Sequence, residues 1–398
     1  MNQDINTEYG PEKIPELLEL LQHQAYDKRR IAAKALGEIG APVVLQLIEL
    51  LDNERPVVRT SVADTLARIG PAARQAVPVL IERLKDSEIN VQIASAMALG
   101  RIGPEADEAL PHLTAAITTW KREAQSSLVH AFRGIGGEAV KALIEVLRRE
   151  EYTTGYKVVD ILSKIGPPAL PGLLEALAHH DERIRWNAAE AIGDMGEDAK
   201  AAVPRLVRTL ADRHSRVKYK CIEALGQIKP DDIEAAQRMV DLLRDPESAV
   251  RAAAAVALGE MRHDPVVVIP GLTRCLTDGH EDVRRSALLG LSLYGDQAAP
   301  VAPAILRGMK DESISVRYQA AKTIGKIGPA VFDQAYPDLI EGLGDENDRV
   351  RDICAFALGR MGSLARQAVP HLKRLIDDES VDVAKSAEGA IQRIQQQS

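Results

Sequence analysis

The sequence contains 398 residues with a formal net charge of −8, and 45% of them are hydrophobic but only 3% aromatic. The acidic balance argues against general binding to nucleic acid or to an anionic membrane, because both attract basic surfaces. The cysteines Cys221, Cys275 and Cys354 share no metal-type spacing, so we predict no metal site, no cofactor and a reducing, cytoplasmic location.

The first residues are polar and lack the basic and apolar regions of an export signal. We predict a polar arm over residues 1–11, a single helical solenoid over 12–394, and a short tail over 395–398. No stretch of the sequence is apolar for long enough to predict a membrane-spanning helix.

One segment, residues 301–328, shows how the helical body is built. Its apolar residues recur at spacings of three and four, which predicts two short amphipathic helices. Pro303 favours the first turn of the first helix, Asp311-Glu312-Ser313 supplies turn and N-cap groups, and Gly328 ends the second helix. The apolar positions are Ile305, Leu306, Met309, Val316, Ala320, Ala321, Ile324 and Ile327. Such a pair cannot bury its apolar face alone, so we expect it to stack on copies of itself.

The same unit recurs along the chain with a step of roughly 30 to 34 residues, which is typical of helical solenoid repeats. The position that closes each second helix holds, in chain order, Gly40, Gly70, Gly103, Gly136, Gly166, Gly196, Lys229, Arg262, Gly295, Gly328 and Gly362. With a last unit at 367–394, the pattern predicts about twelve repeats.

A Val-Arg pair, or a close variant of it, opens most second helices. These pairs begin at Val58, Val91, Ile184, Val217, Val250, Val283, Val316 and Val350. With first-helix starts such as Ala76-Val77-Pro78, the pattern resembles the HEAT repeats, and specifically the short HEAT-like repeats first named in phycobilisome lyases. The resemblance covers nearly the whole chain and implies an all-α, right-handed α-α superhelix, with first helices convex and second helices concave. It implies little about function, because this repeat serves many roles.

An aspartate precedes the Val-Arg pair in many repeats. These residues are Asp86, Asp212, Asp245, Asp278, Asp311 and Asp345. One interpretation is an acidic ladder that binds a partner. We favour a structural role, because an aspartate near a helix start is stabilising and the family resemblance implies that these residues bridge neighbouring repeats.

Function in a solenoid is expected where the repeats differ on the groove face. The third and seventh residues of each second helix, counted from the valine, lie one turn apart and avoid the core positions. In repeats five to seven they hold three pairs: Tyr156 and Asp160, Trp186 and Glu190, Tyr219 and Glu223. Aromatic rings beside carboxylates bind Lys or Arg by cation–π and ionic contacts.

We therefore predict that these six residues form an aromatic-acidic platform for a basic or extended segment of a protein partner. The alternative is that the rings fill a gap between helices and the carboxylates are solvated. Before the platform the pattern weakens, because Gln125 and Gly155 stand where arginine is expected and Trp120 stands in a usually acidic turn. We expect the superhelix to bend or loosen there. Leu289 and Leu293 with Val256 are expected to continue the groove as an apolar stretch, and the alternatives are that this stretch binds a partner or is buried.

The predicted function is a noncatalytic protein-interaction scaffold. Hydroxylases of this architecture hold iron with several His-Glu pairs, whereas this chain has one, His280-Glu281. HEAT-like DNA glycosylases use groove aromatics near a carboxylate, and Trp186 and Glu190 have that spacing. These enzymes also require a basic groove to bind DNA, and the carboxylates of the platform argue against one. The alternative that stays open is a phycobilin lyase-like protein for chromophore attachment, or a chaperone of that process, although no basic cluster near the platform clearly suits the propionates of a tetrapyrrole.

Overall fold

The computed structural model describes residues 10–149 and 152–396, and within these ranges the chain forms twelve consecutive pairs of α-helices and no strand. The first helices of the pairs are Ile14–Leu21, Val44–Leu50, Val77–Arg83, Leu110–Thr119, Gly137–Arg149, Leu170–Ala176, Val203–Thr209, Ile233–Leu242, Pro265–Cys275, Ala302–Arg307, Phe332–Gly342 and Val369–Arg374. The second helices are Tyr26–Ile39, Pro56–Ile69, Ile89–Ile102, Gln125–Ile135, Tyr152–Ile165, Glu182–Asp194, Ser215–Ile228, Ser248–Met261, Glu281–Ser292, Ile314–Ile327, Asp348–Arg360 and Val381–Gln396. The predicted all-α fold of about twelve two-helix repeats is confirmed.

Most residues of the predicted arm and half of the predicted tail lie outside the residues that the structure describes. Residues 1–9 of the predicted arm and 397–398 of the predicted tail are not among the described residues. The last helix continues to Gln396, so the first two residues of the predicted tail are helical.

The described residues form two compact units that divide between Met195 and Gly196. The first unit holds repeats one to six and the second holds repeats seven to twelve. Within each unit, the second helices of neighbouring repeats pack on one another, and each also packs on the first helix of its own repeat. Each unit therefore has a layer of first helices and a layer of second helices, with the core between them.

The core follows the predicted periodicity. In repeat ten, all eight apolar positions predicted within residues 301–328 are buried. Pro303 lies in the first turn of its helix, and Gly328 closes the second helix with a φ of 82°. Lys229 and Arg262 occupy the same closing position with φ values of 50° and 49°, which L-residues rarely adopt.

Neighbouring second helices approach one another closely through glycine. A Cβ atom added to Gly134 would lie 1.9 Å from the carbonyl oxygen of Gly100 on the preceding second helix. In the second unit, a Cβ atom on Gly259 would lie 2.6 Å from the Cα atom of Gly290. Gly100 and Gly134 therefore permit close packing of the two helices.

Charged side chains link the repeats at the turns between first and second helices. The guanidinium of Arg284 donates two hydrogen bonds to Asp311 of the next repeat, at 2.7 and 2.8 Å, and a third to the carbonyl of Asp278 at 2.9 Å. Asp311 in turn accepts a hydrogen bond from the Ser313 amide at 2.9 Å. Further pairs of this type are Arg59 with Asp86, Lys218 with Asp245, Arg251 with Asp278, Arg317 with Asp345 and Arg351 with Asp378.

These bridges confirm the structural interpretation of the recurring aspartates and correct one detail. The sequence assigned turn and N-cap groups to Asp311-Glu312-Ser313 together. In the structure Ser313 is the N-cap residue but its side chain makes no capping hydrogen bond, and Asp311, two residues earlier, orders the turn. The hydroxyl of Ser313 instead contacts Glu281 of the preceding repeat. The carboxylate of Asp311 thus accepts hydrogen bonds both from the backbone of its own turn and from an arginine of the preceding repeat.

The bridges run through the second unit, whereas other residues replace the bridging arginine in repeats three to five of the first unit. Gln92 replaces the arginine in repeat three and donates a 2.7 Å hydrogen bond to the carbonyl of Asp86 in its own turn. Gln125 and Gly155 occupy the equivalent positions of repeats four and five. This part of the first unit therefore lacks the arginine side chains that elsewhere reach the next turn.

The assigned helix phase can be tested with Leu258→Asp. Leu258 is fully buried in the second helix of repeat eight, so a carboxylate there has neither water nor a partner. We expect the free energy of unfolding to fall by several kcal/mol, about 3 or more, and the single cooperative transition of the second unit to broaden. Chemical denaturation followed by circular dichroism measures this. Ala252→Asp, at a half-buried position of the same helix, is the control; equal losses in both variants would contradict the phase.

The repeat-linking bridges predict a dependence on pH. Burial alone would raise the pKa of Asp311, but hydrogen bonds from Arg284 and the Ser313 amide, with the arginine charges, hold it below its usual value. The bridge therefore stabilises the fold above the unfolded pKa of about 4 and is lost as pH falls through the lower folded value. Asp311→Asn with Arg284→Gln should lose stability at pH 7 and show a shallower decline below pH 4 than wild type.

Denaturant titrations across pH measure this difference. Glu312→Gln is the control, since its carboxylate lies 3.7 Å from Arg284 but is 91% exposed. Parallel pH profiles for the wild type and the bridge variant would contradict a role for the bridge.

Candidate functional site

The variable positions of the second helices lie outside the core, as predicted. Among the described second helices, every third and seventh residue counted from the valine is exposed or half-buried. Between them, the fifth and sixth residues on the same count in repeat eight, Ala254 and Ala255, are fully buried. The second-helix layer of each unit therefore presents one face made of positions that the core does not constrain.

In the first unit, this face carries two of the three predicted aromatic-acidic pairs. Tyr156 is 60% exposed, and Asp160 on the same helix forms a 2.7 Å ion pair with Lys164. Trp186 and Glu190 are half-buried on the second helix of repeat six, which packs against that of repeat five. The two pairs thus lie on adjacent helices, and the Asp160 carboxylate already holds a cation on its own helix.

In the second unit, Tyr219 and Glu223 lie on one helix, and the carboxylate acts on the phenol group. Burial raises the pKa of Tyr219, and its hydrogen bond with Glu223 and the charge of that carboxylate raise it further. Lys220 lies 3.0 Å from Glu223 and 5.9 Å from the centre of the Tyr219 ring. One aromatic ring, one carboxylate and one ammonium group therefore lie close together on the same helix.

The Tyr219 ring forms one wall of a groove of about 480 Å³ across the second helices of repeats seven, eight and nine. Small side chains form the floor, namely Ala249, Ala252, Ala253 and Val256. The charged groups along it are Glu223, Glu260, Asp282 and Arg285. We call this the acidic groove, because carboxylates outnumber cations along it and Arg285 is paired with Asp282 at 3.3 Å.

Part of this groove was not predicted from the sequence. Val256 was expected as an apolar continuation, and the structure places it in the floor beside Tyr219 and Glu223. Glu260 and Asp282 were not singled out. Glu260 is the eleventh residue counted from the valine, one turn beyond the seventh, so extending the same count by one turn identifies it. Asp282 precedes the valine and becomes visible only when the neighbouring helices are placed side by side.

Other kinds of site find little support in the described part of the chain. No cluster of three or more His, Cys, Asp or Glu side chains there is arranged to hold a metal ion. The three cysteines are buried, and burial raises the pKa of Cys275 to about 11, so its thiol is a packing group at neutral pH. No single described helix is long and apolar enough to span a membrane, although the bent pair Tyr26–Ile39 and Ala41–Leu50 meets that measure when the two are counted together.

Comparison with known sequences identifies the repeat. A family model described as HEAT repeats matches residues 14–73, 46–133, 140–218, 170–259, 203–292 and 301–392. These matches together cover most of the chain. No curated protein matches the sequence.

Solved structures with the same fold include karyopherins. Kap121p bound to the extreme C-terminus of the protein phosphatase Cdc14p aligns over 96% of this chain and 49% of its own, with a TM-score of 0.57 and 15% identity. Kap121p bound to Pho4p aligns over 98% of this chain and 50% of its own, with a TM-score of 0.57 and 16% identity. The Kap95:Nup1 complex aligns over 97% of this chain and 62% of its own, with a TM-score of 0.56 and 15% identity. The chain spans about half the length of Kap121p, and the likeness establishes the fold.

The Tyr219–Glu223 contact predicts two opposite shifts. Glu223→Gln should lower the pKa of Tyr219 toward its ordinary value, because the carboxylate charge that opposes ionisation is removed. Lys220→Met should raise it further, since the ammonium group favours the phenolate. Tyrosine ring carbons followed by NMR through an alkaline titration, assigned with Tyr219→Phe, measure both. Unchanged pKa values in both variants would show that the pair does not form.

Proposed function

Because the chain belongs to the HEAT repeat family, we propose that it is a noncatalytic scaffold that binds an extended, basic segment of a protein partner along its second helices. The observation that carries this proposal is the acidic groove. Its aromatic wall, small apolar floor and surplus of carboxylates are the features that a lysine or arginine side chain requires.

The floor and the walls suit different parts of a basic side chain. The aliphatic stem of lysine or arginine can lie along Ala252, Ala253 and Val256, and the charged end then reaches Glu223 or Glu260. The face of Tyr219 adds a cation–π contact of about 0.5–1 kcal/mol at an exposed site. Glu260 has no ion pair within the described residues, so its carboxylate can accept a partner's cation without breaking an existing bridge.

Competition within the groove argues for several contacts along the segment. Glu223 is held by Lys220 at 3.0 Å, and Asp282 is held by Arg285. Exposed ion pairs of this kind contribute about 0–1 kcal/mol each, so an incoming arginine can replace them at small cost but gains little from any single contact. Useful affinity therefore requires a segment that occupies successive repeats. Tyr156, Asp160, Trp186 and Glu190 supply a similar surface in the first unit.

The comparisons support a protein partner in general terms. Kap121p has been solved with Pho4p and with the extreme C-terminus of Cdc14p, and Kap95 with Nup1. These partners are proteins or protein segments. They support the class of ligand that a stack of this fold accepts, and the charge of the groove supports its basic character.

We also propose that the repeats are of the short type first named in phycobilisome lyases, since their step is roughly 30 to 34 residues. The acidic groove does not favour a lyase function. The propionates of an open-chain tetrapyrrole would face the carboxylates of Glu223, Glu260 and Asp282, and like charges repel in a partly enclosed site.

Two substitutions that each remove a carboxylate charge from the acidic groove test the proposal. A fluorescein-labelled 12-residue peptide with four Lys or Arg residues in a Gly/Ser background serves as the probe, and anisotropy reports binding. Glu223→Gln with Glu260→Gln should weaken binding by about tenfold, since two contacts of about 0.7 kcal/mol are lost. Tyr219→Ala should weaken it several-fold more.

The matched control is Glu234→Gln with Asp241→Asn, which removes the same charge from the exposed face of the first helix of repeat eight. It should change the affinity by less than twofold. Equal weakening by both pairs would show that only the net charge matters, and the proposal would then be wrong. Tyr156→Ala with Trp186→Ala, measured the same way, tests the first-unit surface separately.

A further inference from the structure

A second charged feature lies on the second-helix face of the second unit, beyond the acidic groove. Lys322 and Lys326 stand one turn apart on the second helix of repeat ten, and Arg360 stands on that of repeat eleven. The Nζ atom of Lys326 reaches to 3.4 Å from the Ser292 hydroxyl of repeat nine. The Nε atom of Arg360 donates a 2.8 Å hydrogen bond to the carbonyl of Gly325, the residue next to Lys326. We call Lys322, Lys326 and Arg360 the basic cluster.

The basic cluster lacks internal neutralisation. Within the described residues, no carboxylate forms an ion pair with Lys322, Lys326 or Arg360, although this chain carries a formal net charge of −8. Partial withdrawal of the Lys326 ammonium from water lowers its pKa, and repulsion from Lys322, Arg262 and Arg360 lowers it further. The groups that act on Lys326 are thus cations on the helices of repeats eight, ten and eleven. An anion placed among them would relieve that repulsion.

Lys322, Lys326 and Arg360 occupy the same positions of the repeat as the groups of the acidic groove. Lys322 is a seventh-position residue like Glu223, and Lys326 and Arg360 are eleventh-position residues like Glu260. The charged residues at the seventh and eleventh positions of this face are therefore acidic in repeats seven and eight and basic in repeats ten and eleven. A single extended segment that follows the face meets both signs of charge.

We infer that the second unit recognises a bipolar segment of its protein partner, with basic residues in the acidic groove and acidic residues about six positions away at the basic cluster. This inference rests on the proposed function, because it extends the same segment. The spacing follows from helix packing: two repeat steps of about 10 Å separate Glu260 from Lys326, and an extended chain advances about 3.3 Å per residue.

The two charged sites act together when one segment joins them. Once the basic part is bound, the acidic part is held near the basic cluster at high effective concentration, so even a weak second contact raises the overall affinity. The arrangement also selects against uniformly basic segments. A segment that carried lysines throughout would place some of them beside Lys326 and Arg360, where like charges repel.

Paired peptides test the inference. The basic probe described above is compared with a bipolar probe that carries the same basic residues, about six neutral residues and then three glutamates, made in both chain directions. Wild type should bind one bipolar probe about tenfold more tightly than the basic probe. Lys322→Gln with Lys326→Gln should remove this advantage and leave binding of the basic probe unchanged or slightly stronger. Arg360 is retained in this variant to keep its bond to Gly325.

The control Arg307→Gln with Lys373→Gln removes two exposed cations from first helices of the same unit and should keep the tenfold advantage. No advantage in either chain direction, or an advantage that survives loss of the two lysines, would overturn the inference while leaving the proposed function intact. NMR of lysine side chains gives an independent readout, because a triglutamate peptide alone should raise the pKa of Lys326. If that shift occurs but the basic probe does not bind, the proposed function is wrong and the anionic subsite stands.

Discussion

Every other feature of this protein depends on the burial of small apolar side chains between neighbouring second helices. A helix such as Ser248–Met261 buries Val250, Ala254, Ala255 and Leu258 but cannot do so against its own first helix alone. Each buried leucine contributes about 1.5–3 kcal/mol, and it does so only when the next repeat covers it. Stability is therefore distributed over contacts between neighbours, which is the behaviour of a quasi-one-dimensional stack.

The polar bridges at the turns complement this apolar stacking. Arg284 ties the turn of its own repeat to Asp311 of the next, so the orientation of one repeat constrains the following one through directed hydrogen bonds. Apolar contacts between alanines tolerate sliding, whereas a bidentate guanidinium–carboxylate pair does not. Because Gln92, Gln125 and Gly155 lack that side chain, repeats three to five rely on apolar packing to a greater extent than repeats seven to twelve.

Much of the fold could be predicted from the sequence, because the signals that define each repeat lie within that repeat. The 3.6-residue period identifies core positions such as Val316 and Ala320 without knowledge of the neighbours, and glycine at the helix end identifies the register. The role of Ser313 could not be predicted, because its contact with Glu281 joins residues of two repeats. For the candidate site, the pairing of Tyr219 with Glu223 followed from helix spacing. The participation of Glu260 and Asp282 did not, since it depends on three helices placed side by side.

The separation of core and face positions has a consequence for how such a protein can change. Ala254 and Leu258 are fully buried, whereas Ala252 and Val256 on the same helix are half-buried and Glu260 is exposed. Substitutions at the face positions should leave the folding free energy of the stack nearly unchanged. Under the proposed function, recognition is therefore modular, and exchanging a few residues in one or two repeats would direct the same scaffold to a different segment.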